Sequence, residues 1–274
     1  MDLICQNNIW RRLFSGLVVC CLVSSDAFAQ APTTDPSLIL HYTFDQDTGQ
    51  TAQDLSLHGN HGEAVKTQYL NKVKGRQGVL RFNDEESVIN CPDSDSLFFE
   101  GDMTIEMWVR LNGSFDPSSG ILFGDSNPLD ISMKRHFGNY AFYMSYWNTL
   151  TFFYQIFNAE LDAYDRMLVP VERHIISEKW SHIAVVVAYP RIRFFHNGEL
   201  VRDAFMPFPG VLKRSRPIHK IGDRKAPIDL DEFRLYRRAL TAAEVEAHAK
   251  AIEVPPPLTQ ELFVEPHWYE QPLA

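Results

Sequence analysis

Short runs of β-branched and aromatic residues, separated by Gly, Pro, Asn and Asp, recur along most of this 274-residue chain. Such runs are typical of β-strands joined by turns. The clearest predicted strands cover residues 38–44, 79–82, 104–111, 140–147, 150–157, 182–188, 191–196 and 229–236. One helix is predicted, over 242–252, where Thr241 and Glu244 form a capping box. Many strands and a single late helix favour an all-β sandwich over an α/β fold.

Residues 104–111 alternate in polarity, as a half-buried strand requires. One face carries apolar side chains, namely Ile105, Met107, Val109 and Leu111. The other face carries Thr104, Glu106, Trp108 and Arg110. Farther along, Asn197-Gly198 separates two strand-like runs and predicts a two-residue hairpin turn, because a type I′ turn needs positive φ at both positions.

The N-terminal residues predict export. Arg11 and Arg12 precede an apolar run over 13–23, and Ala27-Phe28-Ala29 forms a small-residue cleavage signature. A run of this length rises only about 16 Å as a helix, about half of the hydrocarbon thickness of a membrane. We therefore predict a signal peptide over 1–29, a short linker over 30–37, a secreted or periplasmic (cell-envelope) location, and no transmembrane anchor after cleavage.

Composition argues against nucleic acid as a partner and against an intrachain disulfide in the mature chain. The net charge is −9, and no basic tract stands out, so nucleic acid is not expected as a partner. Three of the four cysteines lie within the predicted signal peptide, which leaves Cys91 alone. One thiol cannot close an intrachain disulfide, so the mature fold must depend on its hydrophobic core. We expect Cys91 to act as a small buried apolar residue.

The C-terminal end differs from the predicted strands. The prolines at 255–257 cannot continue the helix, so we assign 253–274 to a Pro-rich linker and an aromatic tail. The tail includes Phe263, Trp268 and Tyr269. It either docks on the sandwich or begins a further module.

Seven segments, in order along the chain, carry a family resemblance. They are 38–45 (LILHYTFD), 54–62 (DLSLHGNHG), 78–82 (GVLRF), 102–109 (DMTIEMWV), 180–185 (WSHIAV), 195–200 (FHNGEL) and 231–241 (DEFRLYRRALT). Together they resemble the laminin-G-like domains of the concanavalin-A-like lectin/glucanase jelly-roll family, over 38–252. Two positions depart from the family pattern: Ile228 replaces a glycine, and Tyr189-Pro190 replaces a glycine-containing turn.

The resemblance implies a fold and a cofactor. Members of this family have two stacked antiparallel sheets, so we predict a two-sheet jelly-roll β-sandwich with one short C-terminal helix. Some members bind a calcium ion that ties the first loop to the last strand, and Asp45, Asn60 and Asp231 match positions that supply its oxygens. Alternatively, Asp45 and Asn60 satisfy turn amides and Asp231 faces solvent.

Sequence motifs for catalysis are missing. Jelly-roll glycosidases pair two carboxylates, but Glu106 has no acidic partner on its own strand. Glu106 and the neighbouring Trp108 are predicted to line a concave groove; the alternative for Glu106 is an ion pair with Arg110 or with a cation on a neighbouring strand. The sequence also contains no Gly-x-Ser-x-Gly elbow, so we do not expect an enzyme.

The predicted ligand site rests on aromatic residues of two neighbouring strands. Aromatic rings with polar tips suit the apolar face of a sugar or a protein hot spot. With rim residues from the preceding segment and from strand 104–111, the predicted site is Tyr143, Tyr146, Trp147, Tyr154, Arg135, His136, Trp108 and Glu106. The alternative is that the aromatic rings pack inside the sandwich or beneath the tail.

Two functional classes follow from these observations. The first is an exported noncatalytic recognition domain that binds carbohydrate or an extracellular or cell-surface protein. The second is a structural or interaction module of a larger envelope assembly, and a glycoside hydrolase of the same fold is a distant third.

Overall fold

The computed structural model describes residues 35–73, 75–84, 86–97, 101–113, 120–124, 140–145, 149–158, 160, 163–173, 178–206, 220–222 and 227–251. The strands of these ranges are β1 (Leu38–Tyr42), β2 (Thr51–Ala52), β3 (Gly62–Val65), β4 (Thr67–Val73), β5 (Arg76–Phe82), β6 (Val88–Asn90), β7 (Met103–Leu111), β8 (Gly120–Gly124), β9 (Tyr140–Ser145), β10 (Thr149–Asn158), β11 (Ala163–Arg173), β12 (Ser181–Ala188), β13 (Arg191–His196), β14 (Glu199–Phe205), β15 (Lys220–Ile221) and β16 (Ile228–Tyr236). A 3₁₀ turn covers Asp95–Leu97, and helix α1 covers Ala242–Ala251.

The strands form two antiparallel sheets. The first sheet has the order β14-β13-β12-β7-β16-β5-β4, with β1 also paired to β16, and the second has the order β11-β10-β9-β8-β15-β6-β3-β2. The first and last strands are adjacent, from Leu38 opposite Tyr236 to Tyr42 opposite Phe233. The predicted fold, a two-sheet antiparallel sandwich with one short C-terminal helix, is confirmed.

The hydrophobic core lies between the two sheets. It joins first-sheet residues such as Ile105, Met107 and Val109 to second-sheet residues such as Ile89 and Phe152. The alternation predicted for residues 104–111 therefore holds, because Ile105, Met107, Val109 and Leu111 all belong to this core. Cys91 is half-buried and packs against the same core. Burial raises the pKa of its thiol to about 12, which keeps the thiol protonated.

Helix α1 covers part of the outer face of the first sheet. Its buried residues are Val245 and Ala249. Val245 belongs to a second apolar cluster with Leu38, Ala184, Val186, Phe195, Tyr236 and Leu240. The predicted capping box is present, since the Glu244 amide donates to Thr241 Oγ1 at 3.2 Å and the Thr241 amide donates to Glu244 Oε2 at 2.7 Å. The helix thus begins where the sequence predicts.

The predicted hairpin turn is also present. Asn197 and Gly198 have φ values of 51° and 82°, as a type I′ turn requires. The predicted signal peptide and the tail over 258–274 lie outside the described residues and stay predictions. Among the helices that the structure describes, none has the length and apolar character needed to cross a lipid bilayer.

Candidate functional site

Polar and aromatic side chains gather on the outer face of the first sheet, beside the area that α1 covers. They come from β5, β7, β12 and β16 and from the residue before β12, because the polar positions of these strands point away from the core. We call this set the outer-face cluster; it comprises Arg76, Glu106, Trp108, Arg110, Trp180, His182, Asp229, Asp231 and Arg234. All except Trp180 are buried, which is unusual for so many charged residues.

Two tryptophans and two arginines form the aromatic part of the cluster. The guanidinium carbon of Arg76 lies 3.9 Å from the ring centroid of Trp108 and 5.2 Å from that of Trp180. The guanidinium carbon of Arg110 lies 5.3 Å from the Trp180 ring. These are cation–π distances, so the rings hold the two positive charges in place. Trp180 is partly exposed and forms the solvent-facing side of the group.

Two aspartates of β16 stand two positions apart on this face. Arg81 donates to Asp229 from Nε at 2.7 Å and from Nη2 at 3.0 Å, and Arg110 also contacts its carboxylate. Burial alone would raise the pKa of Asp229, but the hydrogen bonds from Arg81 and Asn112 bring it below its usual value. Burial and the nearby charge of Glu232 raise the pKa of Asp231 well above its usual value. The two carboxyl groups are therefore pushed in opposite directions.

Glu106 lies at the centre of a buried charge network. Its Oε1 accepts from His248 Nδ1 at 2.8 Å and from Arg234 Nη1 at 3.3 Å. Its Oε2 lies 3.7 Å from His182 Nε2, which is longer than a hydrogen bond. Burial alone would raise the pKa of Glu106, but His182, His248 and Arg234 lower it below its usual value. Glu106 is therefore an ionised carboxylate inside the protein.

Several buried polar atoms of the cluster have no hydrogen-bond partner within the described part of the chain. The donors are Trp108 Nε1, Trp180 Nε1 and Arg110 Nε, and the acceptors are Glu106 Oε2 and Asp231 Oδ1. Buried polar atoms in folded proteins usually have a partner, either protein or water. The outer face therefore holds unused hydrogen-bonding capacity of both kinds.

The structure changes the position predicted for Glu106 and Trp108. They share a face, as predicted, but their exposed fractions are 0% and 2%, so they do not line an open groove. His248 of α1 lies against Glu106, while Arg76 and His182 lie against the Trp108 ring. The alternative for Glu106, an ion pair with a cation on a neighbouring strand, corresponds to Arg234 of β16.

The other predicted ligand residues are not brought to this face. Tyr154 is buried in the core, where its ring stacks on Phe152 with a centroid distance of 6.0 Å. Aromatic residues occur on both faces of β10, and Tyr154 lies on the face that packs into the core. Tyr143 is described by its backbone, which lies in β9 opposite Thr151. Arg135, His136, Tyr146 and Trp147 lie outside the described residues.

A family model described as the concanavalin A-like lectin/glucanases superfamily matches residues 83–246, which is more than half of the chain. The chain belongs to this superfamily. No curated protein matches it.

Solved structures with the concanavalin A-like fold resemble the chain in architecture. One is the binding domain of Paraclostridial Mosquitocidal Protein 1, with 18% identity, a TM-score of 0.58, and coverage of 78% of this chain and 52% of that one. Another is the botulinum neurotoxin serotype D ligand-binding domain in complex with N-acetylneuraminic acid, with 9% identity, a TM-score of 0.61, and coverage of 78% and 51%. This chain thus spans about half the length of the solved chains, and at these identities the likeness shows the fold alone.

The calcium ion suggested by resemblance to laminin-G-like members of the superfamily does not fit the side chains present. The Asn60 amide is engaged elsewhere: Nδ2 donates to Ile39 O at 2.8 Å and Oδ1 accepts from Ser96 Oγ at 2.9 Å. Asp45 Oδ1 accepts from the Gly78 amide at 2.9 Å, and Asp231 Oδ2 accepts from Arg76 at 3.2 Å. Calcium requires six to eight converging oxygens. Among the described residues, no group of three or more His, Cys, Asp or Glu side chains forms a metal site.

Part of the cluster in this superfamily member has a sequence signal, and part does not. Asp229 and Asp231 alternate with apolar residues of a predicted strand, so their shared face could be predicted. Arg76 and Trp180 meet Trp108 only because β5 and the segment before β12 lie beside β7 and β16. That neighbourhood depends on strand order, which single-sequence periodicity does not contain.

Proposed function

We propose that this chain is an exported, noncatalytic recognition domain that binds a glycan through the outer-face cluster. The glycan belongs to an extracellular or cell-surface partner. Its sugar ring packs against the partly exposed ring of Trp180. Its hydroxyl groups reach the buried polar atoms beside Trp108 only after the side chains of Trp180 and Arg81 rotate aside. The partly exposed side chains of Trp180 and Arg81 form the entrance.

The observation that carries this proposal is the mixture of unpaired donors and acceptors around the two tryptophan rings. A sugar hydroxyl donates and accepts at the same atom, so it satisfies both kinds of group. A purely anionic ligand would satisfy the donors and leave Glu106 Oε2 and Asp231 Oδ1 unpaired. A purely apolar ligand would satisfy neither. The set therefore suits a hydroxyl-rich ligand.

Known proteins of the same fold support the ligand class. The superfamily description includes lectins. One similar structure is a ligand-binding domain in complex with N-acetylneuraminic acid, and another is of botulinum neurotoxin type C, whose cell entry is dependent upon interaction with two ganglioside molecules. The second has 14% identity, a TM-score of 0.56, and coverage of 80% of this chain and 52% of that one.

The experiment is a glycan array with the exported form of the protein, in EDTA and in calcium, followed by titration of the strongest glycan into variants. Trp180→Ala removes the ring, and we expect its Kd to rise by about tenfold or more. Trp180→Phe keeps a flat ring but loses the N–H donor, so its Kd should lie between those of the wild type and Trp180→Ala.

The matched control is Leu200→Ala, which changes a side chain that is 52% exposed on β14, outside the outer-face cluster. Its Kd should equal that of the wild type. No saturable glycan on the array, or equal affinities for Trp180→Ala and Leu200→Ala, would contradict the proposal. Silence on the array together with self-association of the protein would favour the structural-module alternative.

One observation favours hydrolysis of a glycan as a second candidate. Asp229 and Asp231 share one face of β16, and their pKa values move in opposite directions, as in the acid and base pair of glycosidases. Both carboxyl groups are bound by arginines, however, which is why we favour binding. Release of reducing sugar that disappears in Asp229→Asn would establish the second candidate.

A further inference from the structure

Three acidic residues lie near the place where β1 and β5 pair with successive segments of β16. Residues 228–230 of β16 pair with β5, and residues 233–236 pair with β1. Asp231 and Glu232 occupy the gap between the two pairings, and Glu232 has a φ of 50°. Asp45 follows the end of β1 and accepts a hydrogen bond from the Gly78 amide of β5 at 2.9 Å. The charge of Glu232 raises the pKa of Asp45, and the charge of Asp45 raises the pKa of Asp231. Buried carboxylates are costly without a positive partner.

Glu232 has its own partners at this junction. His41 Nε2 lies 2.9 Å from Glu232 Oε2, and the Arg234 guanidinium contacts the same oxygen. Arg234 is also bound to Glu106, so its charge is shared between two carboxylates. The charge of Arg76 lowers the pKa of Asp231 against the effect of burial, and His41 and Arg76 together lower that of Asp45.

Arg76 is fixed at this position. Its Nη1 lies 3.2 Å from Asp231 Oδ2, and its side chain is only 5% exposed. Its guanidinium stacks on the rings of Trp108 and Trp180. An arginine side chain stays protonated in proteins, so it brings a permanent positive charge. The guanidinium therefore holds the place where a dissociable cation would otherwise balance the two aspartates.

We propose that Arg76 is the built-in cation of this junction, in the role that the family resemblance assigns to calcium, and that the domain is stable without calcium. Arg76 and Asp231 also belong to the outer-face cluster, but the melting experiment below uses no glycan, so its outcome does not depend on the proposed function.

The experiment measures melting temperatures in EDTA and in millimolar calcium. Wild-type protein should melt at the same temperature in both. Arg76→Met keeps the aliphatic packing between the tryptophans but removes the charge, and it should melt about 10 °C lower in EDTA.

The double variant Arg76→Met/Asp231→Asn separates charge balance from packing. Removing the unbalanced carboxylate should recover part of the lost melting temperature in EDTA. Arg191→Met is the control, since Arg191 pairs with Asp203 at the surface with half of its side chain exposed, and its melting temperature should stay close to that of the wild type. A wild-type melting temperature that rises with calcium overturns the proposal. A double variant no more stable in EDTA than Arg76→Met also overturns it.

Discussion

His248 of α1 donates a hydrogen bond of 2.8 Å to Glu106, a fully buried carboxylate of β7. The imidazole is 31% exposed, and its ring stacks on Tyr236 with a centroid distance of 6.2 Å. Through this contact the helix is attached to the charge network of the first sheet as well as to the apolar cluster beneath Val245. The docking of the helix therefore depends on the ionised state of Glu106.

This dependence predicts a pH effect on stability. The folded-state pKa of Glu106 lies below its unfolded value, so the unfolded chain takes up a proton first as the pH falls. The contribution of Glu106 is complete above about pH 4.5 and is lost progressively below it. Glu106→Gln should lower the free energy of unfolding by about 3 kcal/mol at pH 7, because His248 loses its ionised partner and Arg234 loses one of its two. The loss should be smaller at pH 3.

Urea denaturation at both pH values measures the difference between the two losses. Glu246→Gln is the control, because Glu246 is an exposed residue of the same helix that pairs with Lys250. Its unfolding curves should follow those of the wild type. Equal losses for Glu106→Gln at pH 7 and pH 3 would show that the carboxylate charge does not stabilise the fold.

Gly78 lies at the contact between β5 and the end of β1, where the space is too small for any side chain. A Cβ atom there would lie 2.2 Å from the carbonyl oxygen of Phe44 and 2.4 Å from the Cα of Asp45. Both are backbone atoms and cannot rotate away, so Gly78→Ala should destabilise the protein by about 2–3 kcal/mol. In Gly113→Ala the new Cβ would lie 3.6 Å from Pro227, an ordinary contact, so its melting temperature should stay close to the wild-type value. Similar thermal melts for the two variants would contradict this prediction.

The capping box of α1 predicts how substitutions of Thr241 change the stability of the domain. Thr241→Ala removes the hydroxyl that accepts from the Glu244 amide, and it should cost about 1 kcal/mol in chemical denaturation. Thr241→Ser keeps a hydroxyl at the same position and should recover most of the loss. If Ser and Ala variants unfold at the same denaturant concentration, the cap does not stabilise the domain.

The aromatic tail over 258–274 stays a prediction. Because exposed aromatic rings promote association, we expect at least one of Phe263, Trp268 and Tyr269 to pack on the sandwich. Deleting 258–274 should then lower the melting temperature or expose a surface that binds a hydrophobic dye. Rapid proteolysis after Pro257 without any change in the melt would assign the tail to a different partner.

The strands that the sequence predicted are those with strong apolar patterns. Residues 191–196 were predicted with the bounds found for β13, and β7 differs by one residue at its start. Strand β4 was missed because it lies at a sheet edge and buries none of its residues fully. Strand β11 contains Pro170, which argues against a central strand, and it is also an edge strand. Periodicity detects burial, so edge strands give a weak signal.

The candidate site was predictable only within single strands. Glu106 and Trp108 were placed on one face because alternation fixes that relationship. Arg76 comes from a segment about thirty residues earlier and Trp180 from one about seventy residues later, and only the tertiary order of the strands brings them together. Tyr154 was assigned to the ligand site because aromatic residues occur on both faces of its strand, so the alternation does not show which face is buried.

The pairing of β1 with β16 also sets the order in which the domain can fold. Leu38–Tyr42 finds its strand partner almost two hundred residues later in the chain, at Phe233–Tyr236. Contacts of such long sequence separation form slowly, because a large loop must close before they stabilise anything. A nascent chain therefore keeps its first strand, including the buried Ile39 and Leu40, without that partner until β16 has emerged. The complete first sheet is a property of the finished chain, and ribosome-bound fragments that stop before residue 228 should be protease-sensitive.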